Sequence, residues 1–115
     1  MVITAHTAQR FVETLDFLTT PGYLTGPGAR EDAGLPCGTG PFKVITDLAV
    51  MGFHGETKRM QVESLHPGVT MEAVHENTGF EMGQAEHLGE TEPPRDEELR
   101  ILRQEVDPYG YVIGR

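Results

Sequence analysis

Apolar residues in this chain come in short blocks separated by polar, glycine- and proline-rich breaks, each block about the length of a strand or a two-turn helix. Residues 2–5 form a short β-prone run at the very start. A second run, Phe11, Val12, Leu15, Phe17 and Leu18, ends at Thr19-Thr20-Pro21-Gly22. Phe11, Leu15 and Leu18 also fit helical spacing, but the β-forming Phe11 and Val12 and the nearby Pro21 favour a strand. Residues 42–50 carry Val44, Ile45, Leu48, Ala49 and Val50 with almost no alternation, the pattern of a buried strand. Residues 52–58 are polar, with Gly55 the expected positive-φ position. In residues 59–65, Met60, Val62 and Ser64 fall on one face and Gln61, Glu63 and Leu65 on the other. This pair of runs predicts an antiparallel hairpin with one solvent-facing side.

Two helices are signalled. Pro67-Gly68 breaks the second hairpin strand, Thr70 can accept a hydrogen bond as N-cap, and Val69 and Val74 fit the two positions of a hydrophobic staple. Gly79 fits the residue just past that helix's end. A second helix is expected over 96–106, with Leu99, Leu102 and Val106 as its stripe and Asp107-Pro108 as its stop. Residues 83–94, acidic and turn-rich, read as an exposed connector. Residues 23–41 are too dense in glycine and proline to hold a regular element; a loop of that length points to function or to an insertion over a partner.

Size and charge narrow the classes. With 115 residues the chain is one domain, large enough to bury a core without metal or disulfides. Its single cysteine, Cys37, rules out an internal disulfide and fits a cytoplasmic protein. No apolar stretch approaches the roughly 20 residues of a membrane span. Nine basic residues scattered among eighteen acidic ones, for a net charge of -9, argue against nucleic-acid binding. No basic cluster in the sequence offers itself as a pyrophosphate clamp.

Candidate chemistry is sparse. His6, His54, His66, His75 and His87 show no metal-ligand spacing; His66 reads as a turn or packing residue, and His6, after the first strand, is the better functional candidate. The run Gly34-Leu35-Pro36-Cys37-Gly38-Thr39-Gly40-Pro41 lacks the Lys-Ser/Thr of a phosphate loop and leads into a strand, so it reads as a turn. Nothing nearby in sequence activates Cys37 as a nucleophile. Glu76-Asn77-Thr78-Gly79 falls at the end of the first predicted helix. Carbonyl groups, not oxyanion donors, face outward there, so Glu76 reads as structural.

Several segments in order carry a family resemblance: Arg10-Phe11-Val12-Glu13, Thr19-Thr20-Pro21-Gly22, Gly38-Thr39-Gly40-Pro41 with residues 44–50, Ser64-Leu65-His66-Pro67-Gly68-Val69-Thr70, Glu76-Asn77-Thr78-Gly79-Phe80-Glu81, and the tail Glu97-Glu98-Leu99-Arg100 to Asp107-Pro108. Together they resemble the carboxy-terminal part of the β subunit of family I CoA-transferases, the glutaconate and 3-oxoacid type. Arg95 departs from the small hydroxyl residue expected to cap the last helix, a position Asp96 could fill. The resemblance implies an α/β fold: a partial open sheet with flanking helices, part of a three-layer domain that spans residues 1–115 here. It implies an α-subunit partner in a hetero-oligomer, acyl-CoA and carboxylic-acid substrates, and no cofactor beyond coenzyme A as substrate. The family's chemistry runs through a glutamyl-CoA intermediate, and by this comparison the nucleophilic glutamate lies upstream, so no catalytic residue is assigned in this chain. Thr20, Pro21, Gly22, Gly38 and Gly40 are the expected substrate-binding positions. Two other readings stand beside it: a non-catalytic subunit-contact piece, and part of a related hydrolase that cleaves a carbon–carbon bond in cyclic acyl-CoA thioesters.

Overall fold

The computed structural model describes residues 1–112 and 114. Among these, five strands form one open sheet in sequence order: β1 (Val2–Ile3), β2 (Val44–Ile45), β3 (Ala49–Phe53), β4 (Met60–Leu65) and β5 (Gly83–Glu90). The sheet is mixed. β1 runs parallel to β2 and β5 parallel to β4, while β2 and β4 are each antiparallel to β3 between them. Three helices accompany it: α1 (Ala29–Asp32), α2 (Met71–Glu76) and α3 (Asp96–Ile101), the last continuing as a π-helical turn over Leu102–Val106. This is an α/β fold with few helices.

The predicted hairpin is present as β3 and β4, with Met51 opposite Val62. Met51, Val62 and Val74 are wholly buried, and with Phe11, Val44, Ala49 and Met82 they form one core cluster. Burial of each of the larger of these side chains, Ala49 apart, contributes about 1.5–3 kcal/mol. Helix α2 is set as the sequence predicts: Thr70 Oγ1 accepts from the Ala73 N–H at 3.2 Å, and Val69 packs against the core cluster that includes Val74. Its C-terminus differs. Asn77 is the C-cap, and the Gly79 N–H donates to the Phe11 carbonyl at 2.6 Å instead of closing the helix. A Cβ on Gly79 would lie 2.8 Å from that carbonyl oxygen, so close approach of two backbones is what requires glycine there.

Four further expectations are corrected. Residues 11–18 are not a strand: the chain turns at Thr7, whose carbonyl accepts from Arg10 and Phe11, and only Phe11 reaches the core. Leu15, Phe17 and Leu18 stay exposed, and without burial or a sheet edge to pair with, an apolar run does not hold a strand. Residues 42–50 are two strands, because Thr46 Oγ1 accepts from the N–H groups of Leu48 and Ala49 and folds the chain back so that Val44 pairs with Met51. In the β3–β4 turn the left-handed residue is Lys58, at φ 58°, not Gly55; its N–H closes on the His54 carbonyl at 2.9 Å.

The fourth is the connector 83–94, which contains β5. Its pairing jumps from Val62↔Gln84 to Ser64↔Gly89, so the strand bulges and only Ala85 and Leu88 are even half-buried. The last helix has the expected extent, but no residue of its stripe is buried. Arg95, not Asp96, is its N-cap residue. The Glu98 carboxylate accepts from both the Arg95 N–H and its guanidinium, while arginine, having no acceptor, leaves the other half of the box unmade. Among the described residues no helix is long and apolar enough to cross a membrane.

Candidate functional site

The loop over 21–41 is held by two side chains, not by a hydrophobic core. Helix α1 is a single turn entered through Gly28 at φ 79°, and it carries Arg30 inward until only 9% of that residue is exposed. The Arg30 guanidinium donates from Nη1 to the carbonyls of Pro21 (3.0 Å) and Gly22 (2.9 Å), and from Nη2 to Thr39 Oγ1 (2.9 Å). Thr39 Oγ1 in turn donates to the Pro36 carbonyl. One arginine therefore ties both ends of the loop together. Its Nε is buried with no hydrogen-bond partner among the described residues.

Tyr23 is the second tie. Its hydroxyl donates to the Pro41 carbonyl at 2.8 Å, and its ring meets Phe53 of β3 edge-on at 5.0 Å. Gly40, at φ 138°, lies so close beneath the ring that a Cβ would come within 2.8 Å of it. From the β3–β4 turn, Lys58 sets its ammonium 5.6 Å from the centre of the same ring. Between loop and turn lies a cavity of about 300 Å³ lined by Tyr23, Gly26, Arg30, Gly38, Thr39 and Lys58, with Glu31 and Glu56 also on its wall. A second, wider depression of about 460 Å³ shares Tyr23, Gly26 and Lys58 and extends to Arg59, Met60, Phe80 and Glu81.

The five expected substrate-binding residues fall as follows. Pro21 and Gly22 present carbonyls to Arg30, Gly38 lines the cavity, and Gly40 packs under Tyr23. Thr20 is exposed and does not line the cavity. Sequence reasoning missed Arg30, Tyr23 and Lys58, which make the cavity. It also found no cationic cluster, yet Arg30 and Lys58, far apart in sequence, line one cavity. A lone arginine inside a glycine-rich segment was the available signal.

His6 is a keystone of the fold. It is 3% exposed and stacks on Phe11 at 4.2 Å, with its ring nitrogens 3.1 Å from Thr46 Oγ1 and 2.9 Å from Thr78 Oγ1. Thr46 Oγ1 accepts two backbone N–H groups, and its one proton is shared between the Ala49 carbonyl at 3.2 Å and His6 Nδ1. The ring then donates from Nε2 to Thr78, whose own proton goes to the Val74 carbonyl. Burial pulls the His6 imidazole below its ordinary value of 6.5, and the nearby Asp47 carboxylate pushes it back up. Asp47 accepts from the His6 backbone N–H at 2.7 Å and is held below the usual carboxylate range mainly by that bond. His66 Nε2 donates to the Thr46 carbonyl at 2.8 Å, leaving Nδ1 to accept from Thr91. Both histidines join parts of the fold to one another and line neither cavity.

The Glu76-Asn77-Thr78-Gly79 run is likewise consumed by structure. Asn77 caps α2 and donates from Nδ2 to the Ala73 carbonyl, Thr78 serves His6, Gly79 serves Phe11, and Glu76 is exposed to solvent. Of the thirteen glutamates in the chain, twelve are exposed, and the remaining one, Glu63, is ion-paired with Lys43.

Fold and sequence agree on the class. The sequence profile of the coenzyme A transferase family matches residues 1–77, and the chain belongs to that family. It is 37% identical over 108 residues to the B subunit of glutaconate CoA-transferase from Acidaminococcus fermentans, covering 94% of this chain and 40% of that subunit. The crystal structure of that enzyme superposes with a TM-score of 0.90 at 36% identity, over 98% of this chain and 43% of the other. Identity to the B subunit of 3-oxoadipate CoA-transferase from Pseudomonas knackmussii is 42% over 103 residues (90% of this chain, 39% of that subunit). The IpdB subunit of a cholesterol ring-cleaving hydrolase from Rhodococcus jostii is 35% identical over 107 residues, again 90% of this chain and 40% of the relative. The chain thus spans about two-fifths of the length of these relatives, each of which is a subunit.

Proposed function

We propose that these residues are the carboxy-terminal part of a CoA-transferase β subunit that, with an α-subunit partner in the cytoplasm, moves CoA between an acyl-CoA and a carboxylic acid. The attacking glutamate lies outside the 115 residues. In the proposed reaction that glutamate's carboxylate adds to the thioester carbonyl and expels CoA thiolate, leaving an acyl-glutamyl anhydride. The thiolate then attacks the glutamyl carbonyl to give glutamyl-CoA and releases the first acid; the acceptor carboxylate runs the same steps in reverse. No cofactor is needed, because coenzyme A is itself the transferred group.

One observation carries this reading. Over 90–94% of its length the chain matches the B subunits of two CoA-transferases at 37–42% identity, and within it no glutamate is faced by oxyanion donors: twelve are exposed in this chain and Glu63 is paired with Lys43. The chain's own contribution is the wall of the substrate site, built from the loop tied by Arg30 and Tyr23.

A chimera tests the proposal. These residues replace the matching stretch of a relative's β subunit, which is then assembled with its own α-subunit partner. The expected outcome is CoA transfer by the chimera and none by the 115-residue chain alone. Turnover by the chain alone, or a chimera that only hydrolyses a carbon–carbon bond in cyclic acyl-CoA thioesters, would contradict it.

A further inference from the structure

The cations of this acidic chain are used in two ways. Lys43, Arg95 and Arg100 each pair with a carboxylate: Glu63, Glu98 and Glu105. Arg10, Arg30, Lys58, Arg59 and Arg103 are in no salt bridge among the described residues, and of these only Arg30 and Lys58 line the smaller cavity. Burying a guanidinium without a counter-ion costs several kcal/mol unless other groups hold the charge. Arg30 is held by two carbonyls and a hydroxyl, and its Nε is left over. Lys58, in a left-handed backbone conformation uncommon for a side chain of its size, keeps its ammonium over the Tyr23 ring. Both line the same cavity of about 300 Å³, roomy enough for a phosphate or carboxylate group.

We infer that this cavity, between the Arg30 loop and the Lys58 turn, is a binding subsite for a small anionic group, a phosphate or a carboxylate. Arg30 supplies a buried positive charge fixed in place by the loop it ties, and Lys58 supplies a second from the β3–β4 turn. Gly38, with nothing within 4 Å of where its Cβ would stand, leaves the floor open for backbone approach. Glu31 and Glu56 share the wall but are exposed, and neither pairs with Arg30 or Lys58 among the described residues. They oppose an anion and lower its affinity without cancelling the site. The inference deepens the proposed function and rests on it: an acyl-CoA presents phosphates, and its acceptor acid presents a carboxylate.

The test is binding, which is read without any transfer activity, so it fails or succeeds apart from the transferase reading. Inorganic phosphate and, separately, glutarate are titrated into the 115-residue chain at constant ionic strength, and backbone amide shifts are followed by NMR. Saturable shifts at Gly38, Thr39 and Lys58 with at least one anion are expected. Tighter phosphate points to the CoA moiety, and tighter glutarate to the acid. Lys58→Gln is expected to weaken binding about fivefold, the scale of one partly exposed charge contact, and Glu56→Gln to tighten it. A second readout serves the chain in any assembly: alkylation of exposed Cys37, next to Gly38, slows saturably with the anion but not with equal chloride. No saturable response to either anion, or Lys58→Gln binding as well as the wild type, overturns the inference.

Discussion

The β3–β4 hairpin with α2 and the glycine-rich loop over 21–41 are built on different physics. In the hairpin, Met51, Val62 and Val74 are wholly buried and the order follows from apolar area removed from water. In the loop no large apolar side chain reaches the core, and two side chains, Arg30 and Tyr23, fix it through hydrogen bonds to carbonyls and one hydroxyl. A core tolerates little local opening. A loop held by a few directed bonds can be rigid while closed and still open locally, as a binding wall requires.

The sharpest test of that contrast is in the hairpin. Met51→Ala is expected to cost about 3 kcal/mol in urea unfolding, as large-to-small changes at closed sites do. A loss below about 1 kcal/mol, the size of a single surface contact, would mean the cluster is not the folding core. Gly79→Ala, which forces a Cβ against the Phe11 carbonyl, should cost about 2 kcal/mol by the same measurement. Thr70→Ala removes the N-cap of α2 and should cost about 1 kcal/mol. Arg30→Ala sharpens the other side of the comparison. Global stability should fall by about 1 kcal/mol or less, while limited proteolysis within 21–41 accelerates several-fold. Equal loss of global stability in Arg30→Ala and Met51→Ala would erase the distinction between the two regions.

The smallest expected effect is a pH dependence carried by His6. Its folded-state value lies below 6.5, chiefly through burial, so on acidification the unfolded chain takes up the proton first. Stability should therefore decline as pH falls from neutral through 6.5 and level off below the folded-state value. His6→Gln should flatten that part of the curve. An unchanged slope in the variant would assign it to another group. The Asp47 contribution, from a carboxylate held below its ordinary 3.8, is present at neutral pH and lost only at much lower pH.

The same contrast explains what could be read from the chain. The hairpin, the Thr70 cap and the Val69–Val74 staple were legible because burial and capping leave marks at fixed spacing. The break between β2 and β3 hides in Thr46, whose hydroxyl makes a turn inside an apolar run. β5 was invisible because its bulge destroys period-two alternation and parallel pairing with β4, not side-chain burial, holds it extended. The 11–18 run misled because apolar residues there find nothing to pack on in this chain. At the candidate site the glycines were visible, but the residues that organise them were not. Arg30 and Lys58 come together only through the fold, and no pattern in sequence announces a cavity between a loop and a distant turn.

Whether this chain supplies a binding wall or the attacking group turns on where the reactive carboxylate sits. Incubating the assembled chimera with acyl-CoA, reducing with borohydride and mapping the modified peptide by mass spectrometry locates it. The expected modification is on a glutamate contributed by the relative's portion, with peptides of residues 1–115 unmodified. A reduced glutamate within those 115 residues, at Glu76 or anywhere else, would contradict that assignment.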